Sequence, residues 1–115
     1  MSNRIRSGTA VLKTSAAIFA ALGDETRLGL VTKLTGGEPQ SIAHLTAGTK
    51  LTRQGVTKHL RVLEEVGVVR SLKVGRESRF ALEAKALDDA RGYLDHVSQQ
   101  WDDALARLKA FVEQE

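Results

Sequence analysis

The sequence predicts a mainly α-helical domain that carries one small β-hairpin. Apolar residues recur with helical spacing along most of the chain, and this spacing gives way to alternation only over residues 68–83. The chain has 115 residues, 42% of them hydrophobic, which is enough for one modest core. We therefore expect a single domain over residues 9–115, preceded by a disordered basic tail over residues 1–8.

Composition narrows the class of protein further. The lack of cysteine excludes disulfides and thiolate metal sites, and no apolar run approaches the roughly 20 residues of a membrane span. The N-terminal run MSNRIRSG has no apolar core of the kind that signal peptides carry. Aromatic residues make up only 4% of the chain, too few to stack a row of bases. We expect a cytoplasmic protein without membrane contact.

Three helices open the domain. The run TAVLKTSAAIFAALG has a broad apolar face and predicts a helix that stops at Gly23. Asp24 is placed to cap a second helix, which ends at the pair Gly36-Gly37. After a connection that contains Pro39, Ser41 can cap a short third helix.

The fourth helix carries hydrogen-bond donors at most of its polar positions. In the run LTRQGVTKHLRVLEEVGVV, Val56, Leu60, Leu63 and Val66 form a buried stripe, Thr52 is placed as the cap, and Gly67 ends the helix. A solvated surface helix would carry mixed charge, whereas here the acids come only at the end. The candidate contact residues are Thr52, Arg53, Gln54, Thr57, Lys58, His59 and Arg61.

Two positions in this helix have more than one interpretation. Gly55 costs about 1 kcal/mol relative to alanine in a helix interior. It either allows a close backbone approach to a ligand or is tolerated near the start of the helix. His59 is either a pH-sensitive or metal-binding group, or a residue that packs and contacts phosphate, and we prefer the second interpretation.

A basic hairpin follows the fourth helix. The runs VVRSLKV and SRFALE read as strands, and a tight turn that includes GRE joins them. Lys73, Arg76 and Arg79 give this hairpin a positive charge, and Arg76 stands at its tip. The alternative for Arg76 is a solvated turn residue, and the neighbouring Glu77 is unfavourable for phosphate.

The last helix, over residues 85–113, has the repeat of a coiled-coil seam. Leu87, Leu94, Trp101 and Leu108 recur every seven residues, and a second set beginning at Ala90 does the same three positions later. The seam either folds back on the domain's own core or meets a partner helix. We favour a partner, and the simplest partner is a second copy of the chain. The expected interface residues are Leu12, Phe19, Leu87, Ala90, Leu94, Val97, Trp101 and Leu108.

These elements together predict a winged helix-turn-helix domain with dimerisation helices at both ends of the chain. Two short helices are joined by a tight turn, the second is rich in donors, and a basic hairpin follows. The major groove of DNA admits one α-helix, and base edges and phosphates accept hydrogen bonds from such donors. The sequence therefore predicts a regulator that binds a specific sequence in double-stranded DNA.

At these residues the chain resembles the ArsR family of bacterial winged-helix repressors. The likeness covers about residues 15–83 and lies in FAALGDETRLGLVTKL, LTRQGVTKHLRVLEEVGVV and VGRESRFAL. The resemblance implies a homodimeric repressor that binds an inverted-repeat operator and releases it on a signal. The sequence identifies no inducer for that signal.

The chain departs from the family's metal sensors and from enzymes. Where some members carry a cysteine pair, this sequence has Ser41 and Ala43, and His96 has no second histidine downstream. We therefore expect no metal and no cofactor. The adjacent aspartates Asp88-Asp89 and Asp102-Asp103 do not converge on a helix, so we expect no enzyme. The alternatives are a winged-helix protein-interaction module without DNA binding and a metalloregulator with an atypical site.

Overall fold

The computed structural model describes the backbone of residues 2–114 and the side chains of residues 10–114. This part of the chain is mainly helical with a small sheet, and the predicted fold class is confirmed. Its elements in chain order are α1 (Ser2–Leu22), α2 (Glu25–Lys33), β1 (Gln40–Ser41), α3 (Ile42–Thr46), α4 (Arg53–Glu65), β2 (Val69–Val74), β3 (Glu77–Leu82) and α5 (Ala84–Glu113).

Helix α1 begins earlier than the sequence predicted. Its backbone runs from Ser2, so it includes most of the segment 1–8 that we expected to be a disordered tail. The segment contains no proline, and its weakest helix former, Gly8, keeps its backbone N–H, so nothing in it interrupts the helical hydrogen bonds. Met1 and the side chains of residues 2–9 lie outside the described part of the chain.

Three side chains cap the helices as predicted. Asp24 accepts a hydrogen bond from the backbone N–H of Arg27, Ser41 from that of His44, and Thr52 from that of Gly55, each at 3.0 Å. Each bond satisfies a backbone donor that the first turn of a helix leaves without a partner. The starts of α2, α3 and α4 are therefore fixed by local sequence.

The sheet has three antiparallel strands in the order β1-β3-β2, one more than the predicted hairpin. The additional strand, β1, pairs Gln40 with Phe80 and Ser41 with Arg79. Two residues are too few to show an alternating pattern, so this strand could not be predicted from the sequence. The β2–β3 turn is tight, with Val74 opposite Glu77 and a positive φ of 64° at Gly75. A glycine at the first central position suits the primed turns that hairpins prefer.

One hydrophobic core contains side chains from α1, α2, α3 and α4, from the sheet and from the first turns of α5. Helix α5 contributes Ala86 and Ala90 to it, and Leu87 packs at its edge. The side chains with the least exposure are Ile18, Leu34, Leu45, Val56, Leu60, Leu63 and Val68, all at 0%. The core therefore holds α4 by its buried face, and most of α5 does not contact the core.

Candidate nucleic-acid interface

The turn between α3 and α4 is held by a threonine rather than by an apolar residue. Gly48 has a φ of 76°, a left-handed conformation that glycine adopts without steric cost. The Thr49 hydroxyl donates to the carbonyl of Thr46 at 2.6 Å and accepts from the N–H of Leu51 at 3.2 Å. These bonds give the polar side chain of Thr49 a structural role in the turn.

Helix α4 has two opposite faces. Val56, Leu60 and Leu63 are fully buried and follow the i, i+4, i+7 spacing of one helical stripe. Gln54, Lys58 and Arg61 are exposed and repeat the same spacing two residues earlier. Two residues correspond to a rotation of about 200°, so this second stripe points directly away from the core. We call Gln54, Lys58 and Arg61 the outward stripe.

The hairpin of β2 and β3 is called the wing. Arg53 and Thr57 lie on the flank of α4 that faces it. The Thr57 hydroxyl donates to the carbonyl of Arg53 at 2.7 Å and keeps its lone pairs as acceptors. Both residues line a cavity of about 430 Å³ that separates α4 from the start of α3 and from Glu77 and Ser78 of β3. Thr52, at the start of the helix, is exposed but uses its side-chain oxygen as the cap.

His59 points elsewhere, although the sequence grouped it with the contact residues. Its ring is half-buried, with Nδ1 3.4 Å from a terminal nitrogen of Arg27 and 4.0 Å from a carboxylate oxygen of Asp24. The Nε of Arg27 also donates to the carbonyl of Ala21 at 2.6 Å. His59 thus joins α4 to the junction of α1 and α2, and we leave it out of the proposed contact surface. Spacing along the sequence did not predict this cluster, because His59 lies more than 30 residues from Asp24 and Arg27.

Gly55 has a local reason to be glycine. A Cβ built at this position would lie 3.1 Å from the hydroxyl oxygen of Thr52, closer than ordinary van der Waals contact. The same hydroxyl accepts the hydrogen bond from the N–H of Gly55 that caps α4. A larger residue would therefore crowd the cap.

The three wing cations do not form one patch. Strand pairing places Lys73 opposite Ser78 and Arg79 opposite Leu72, so Lys73 and Arg79 lie on opposite faces of the hairpin. The Nε of Arg79 donates to the carboxylate of Glu77 at 2.8 Å, so its charge is partly compensated. Arg76 is exposed at the tip of the wing. Arg76 and Lys73 are therefore better placed than Arg79 to meet an external anion.

A hydrogen bond that the sequence did not predict links α4 to the wing. The Ser71 hydroxyl donates to the carboxylate of Glu64 at 2.7 Å. Lys73 lies on the same face of the hairpin as Ser71, because alternate residues of a strand share a face. Glu64 thus attaches the C-terminal end of α4 to the wing.

Most of α5 is exposed, and its apolar residues form a seam along one side of the helix. From Leu94 to Glu113 every residue of the helix is exposed, including Trp101 at 65%, Leu108 at 57% and Phe111 at 65%. Val97 is less exposed, at 36%, and Leu12 of α1 is exposed at 52%. A contiguous apolar surface of this kind usually marks an interaction site.

The earlier part of the predicted interface is used inside the protomer. Ala90 is buried in the core, Leu87 packs against it, and the ring of Phe19 lies 5.9 Å from that of Tyr93. The sequence analysis assigned Phe19, Leu87 and Ala90 to contacts between copies. The seven-residue repeat continues along the whole of α5, but only the first turns of this helix pack against the core.

Within the described residues, no three His, Asp or Glu side chains come together in a way that could hold a metal ion. None of the described helices is long and apolar enough to cross a membrane.

Comparison with known proteins identifies the class to which this geometry belongs. A family model described as a helix-turn-helix domain matches residues 13–71, a little over half of the chain. Over 66 residues, which are 52% of this chain and 72% of the relative, the sequence is 38% identical to the HTH-type transcriptional regulator YuzN of Bacillus subtilis. The fold and the donor-rich α4 thus define a transcriptional regulator of the helix-turn-helix class.

Solved structures narrow the class to a family. An ArsR-like transcriptional regulator from Rhodococcus sp. RHA1 is 36% identical, with a TM-score of 0.77 over 89% of this chain and 95% of that one. The chain belongs to the ArsR family of winged helix-turn-helix transcriptional regulators, which confirms the resemblance stated from the sequence. A homodimeric winged helix-turn-helix DNA-binding domain from Mycobacterium bovis has a TM-score of 0.63 over 85% of this chain and 87% of its own. It is 20% identical, so it shows the fold alone.

Proposed function

We propose that the protein is a homodimeric repressor that binds an inverted-repeat operator with α4 of each subunit in the major groove. The observation that carries the proposal is the outward stripe, because Gln54, Lys58 and Arg61 all present donors opposite the buried face. Base edges in the major groove and the flanking phosphates accept such donors. Since the proposed ligand is chromosomal DNA, we place the protein in the cytoplasm.

Position along α4 suggests separate roles for its donors. Gln54 lies in the first turn, beside the cavity between α4 and the wing, and a Gln side chain can pair with both acceptor and donor groups of adenine. Lys58 and Arg61 carry charge along the same stripe and suit phosphate. Arg53 and Thr57, on the flank, are placed to meet DNA between helix and wing.

The wing supports the same arrangement. Arg76 stands exposed at the tip and Lys73 on the face nearer α4, so both can reach the DNA backbone beside the groove that α4 occupies. Contacts of this kind position a protein without reading sequence. We assign Arg79 a smaller part, because Glu77 already holds its guanidinium.

The exposed seam of α5 supports a dimer. A single copy leaves Leu94, Trp101 and Leu108 in water, and burial of apolar surface is the main favourable term in association. A second copy offers the same seam about a two-fold axis, which is the commonest symmetry of soluble oligomers. Leu12, exposed on α1, is placed to join this interface.

A two-fold dimer determines the form of the operator. Its two copies of α4 are related by the dimer axis, so the half-sites should form an inverted repeat. Their centres should lie about 10–10.5 bp apart, or a multiple of that distance. Repression requires only that the bound dimer occupies DNA that the polymerase needs, and we propose this mode of action.

The test separates base reading from phosphate contact. The operator is first selected from a random duplex library, and salt titrations then compare it with a random duplex. We expect Gln54→Ala to cost about 1–3 kcal/mol per half-site on the operator and little on random DNA. Arg76→Ala should weaken both complexes alike and reduce the salt slope by about 0.9 per lost phosphate contact, hence by about two for a dimer. Arg107→Ala is the control, because it removes an equal charge from α5.

Each other outcome has a definite meaning. Equal losses on both duplexes for Gln54→Ala, or an unchanged slope for Arg76→Ala, would contradict the assigned roles. Failure to bind any duplex at low salt would favour the protein-interaction module. Release of the operator by stoichiometric zinc would favour the metalloregulator.

A further inference from the structure

A cavity of about 510 Å³ lies between α1 and α5, on a part of the protein that the proposed DNA contacts do not use. Its volume falls within the roughly 300–1,000 Å³ typical of small-molecule sites. The residues that matter for its chemistry are Val11 and Ser15 from α1 and Asp88, Asp89, Tyr93 and His96 from α5.

Ser15 gives the cavity wall an unsatisfied polar atom. The residue is 1% exposed, and its hydroxyl oxygen has no hydrogen-bond partner in the part of the chain that the structure describes. A helical serine commonly donates to a carbonyl one turn earlier, and this one does not. Because a buried hydroxyl without a partner is costly, a bound group that hydrogen-bonds to it would gain free energy.

The charges around the cavity favour a cation. Asp88 and Asp89 are exposed on its rim, and the ion pairs found among the side chains of residues 10–114 include neither. Among the described lining residues, Lys85 alone carries a fixed positive charge, against the two carboxylates of Asp88 and Asp89. The whole chain is positive by three charges, so this acidic rim differs from the rest of the protein.

The remainder of the wall is apolar. Val11 and the ring of Tyr93 line it, and the Tyr93 ring is fixed by its contact with Phe19 at 5.9 Å. An apolar or aromatic body would bury surface against these side chains. The cavity thus has an apolar wall, an acidic rim and one buried hydroxyl.

We propose that the cavity between α1 and α5 is a binding site for a small organic amine in its cationic form. Asp88 and Asp89 lie about 100° apart on α5, so they flank the cavity instead of converging on one point, and the ammonium group lies between them. It donates a hydrogen bond to the Ser15 hydroxyl, while the apolar body lies against Val11 and Tyr93. Lys85, Asp89, Gly92 and His96 form one stripe of α5, and Leu94 of the seam lies about 200° around the helix from Gly92. On α5 the site therefore lies apart from the seam that the proposed dimer uses, and it lies apart from the proposed DNA contacts.

The experiment is an amide NMR titration of the full-length protein with three probes of equal shape: phenylbutylamine, phenylbutanol and phenylbutyrate. We expect the amine to shift the amide signals of Gly92 and of α1 around Ser15, with saturation in the millimolar range. The alcohol should bind more weakly and the carboxylate should cause no shift. The double variant D88N/D89N should bind the amine only as well as the alcohol. The control D102N/D103N removes an equal charge pair from the same helix outside the cavity and should bind like the parent.

A Ser15→Ala variant tests the hydroxyl separately. Since the free hydroxyl has no partner, the variant should melt at the same temperature as the parent or higher, yet bind the amine less tightly. A lower melting temperature would show that the hydroxyl already has a partner and would overturn the proposal. It would also be overturned by the absence of saturable shifts with the amine, by equal shifts with the carboxylate, or by equal losses in the two aspartate double variants.

Discussion

Trp101 offers the most direct test of the proposed dimer. It is 65% exposed in the protomer and lies in the middle of the apolar part of α5, far from the core. Trp101→Ala should therefore leave the fold of the protomer intact and weaken only the contact between copies. Because Trp101 is the only tryptophan of the chain, the fluorescence of the parent also reports on this contact.

The expected loss follows from the exposed area. A fully buried Trp removes up to about 250 Å² from water. At 65% exposure, about 160 Å² remains available for a partner. At about 25 cal/mol per Å², complete coverage of this area contributes about 4 kcal/mol per subunit. If the partner covers only half of it in each subunit, the dimer loses about 4 kcal/mol, or about a thousandfold in its dissociation constant.

Analytical ultracentrifugation measures this loss. The parent should sediment as a dimer at tens of micromolar, and Trp101→Ala should be largely monomeric at the same concentration. Gln99→Ala is the matched control, because a residue two positions away faces the opposite side of the helix and should dimerise like the parent. Circular dichroism should be the same for all three proteins. A monomeric parent, or a Trp101→Ala variant that dimerises as tightly as the parent, would refute the proposed interface.

Two further predictions concern the wing and the cap of α2. Glu77→Gln releases the Arg79 guanidinium and removes a negative charge from the wing, so the affinity for operator and random duplex should rise alike and fall more steeply with salt; an unchanged affinity would contradict the assigned contact of the wing. The pKa of Asp24 is held below its ordinary value of 3.8, mainly by the hydrogen bond from the N–H of Arg27 and then by the positive charges of Arg27 and His59. A carboxyl whose pKa is lower in the folded state stabilises that state above about pH 3.8, and this contribution is lost as the pH falls through the lowered value. In urea unfolding from neutral to low pH, Asp24→Asn should keep the cap, since asparagine caps as well as aspartate, and should lose less stability below about pH 4 than the parent does.

The local features of the fold could be predicted from the sequence because neighbouring residues determine them. Asp24, Ser41 and Thr52 cap the helices that follow them, and the bond joins residues three apart. Gly67 has the left-handed backbone that was expected at the end of α4, with a φ of 78°. Helical spacing was likewise sufficient to separate the buried stripe of α4 from its polar positions.

Contacts between distant segments could not be predicted in the same way. The position of His59 depends on Asp24 and Arg27, which reach it only through the packing of α2 against α4. Strand β1 exists because the connection before α3 meets β3, and its two residues have no pattern of their own. Each requires the arrangement of elements in space, which spacing along the chain does not contain.

The seam of α5 shows a different limit of prediction. Leu87 and Leu94 occupy equivalent positions of the repeat, yet the first packs at the core while the second is exposed at 54%. The repeat specifies only that one side of the helix is apolar. Where the domain ends along that side depends on the size of the core, so the sequence could not divide the seam between the protomer and a partner.

The residues of α4 outside the outward stripe explain how a helix that carries several positive charges is held in one orientation. Burial of Val56, Leu60 and Leu63 dominates, since truncation of one buried leucine typically costs about 2–5 kcal/mol. A stripe of smooth apolar side chains limits rotation about the helix axis less well than directional bonds do. His59 contacts the start of α2 on one flank, and Glu64 accepts from Ser71 of the wing on the other. A single exposed hydrogen bond or ion pair adds only about 0–1 kcal/mol, but one on each flank opposes rotation in both directions. We infer that these two residues keep the outward stripe directed away from the core, where the proposed DNA contact requires it.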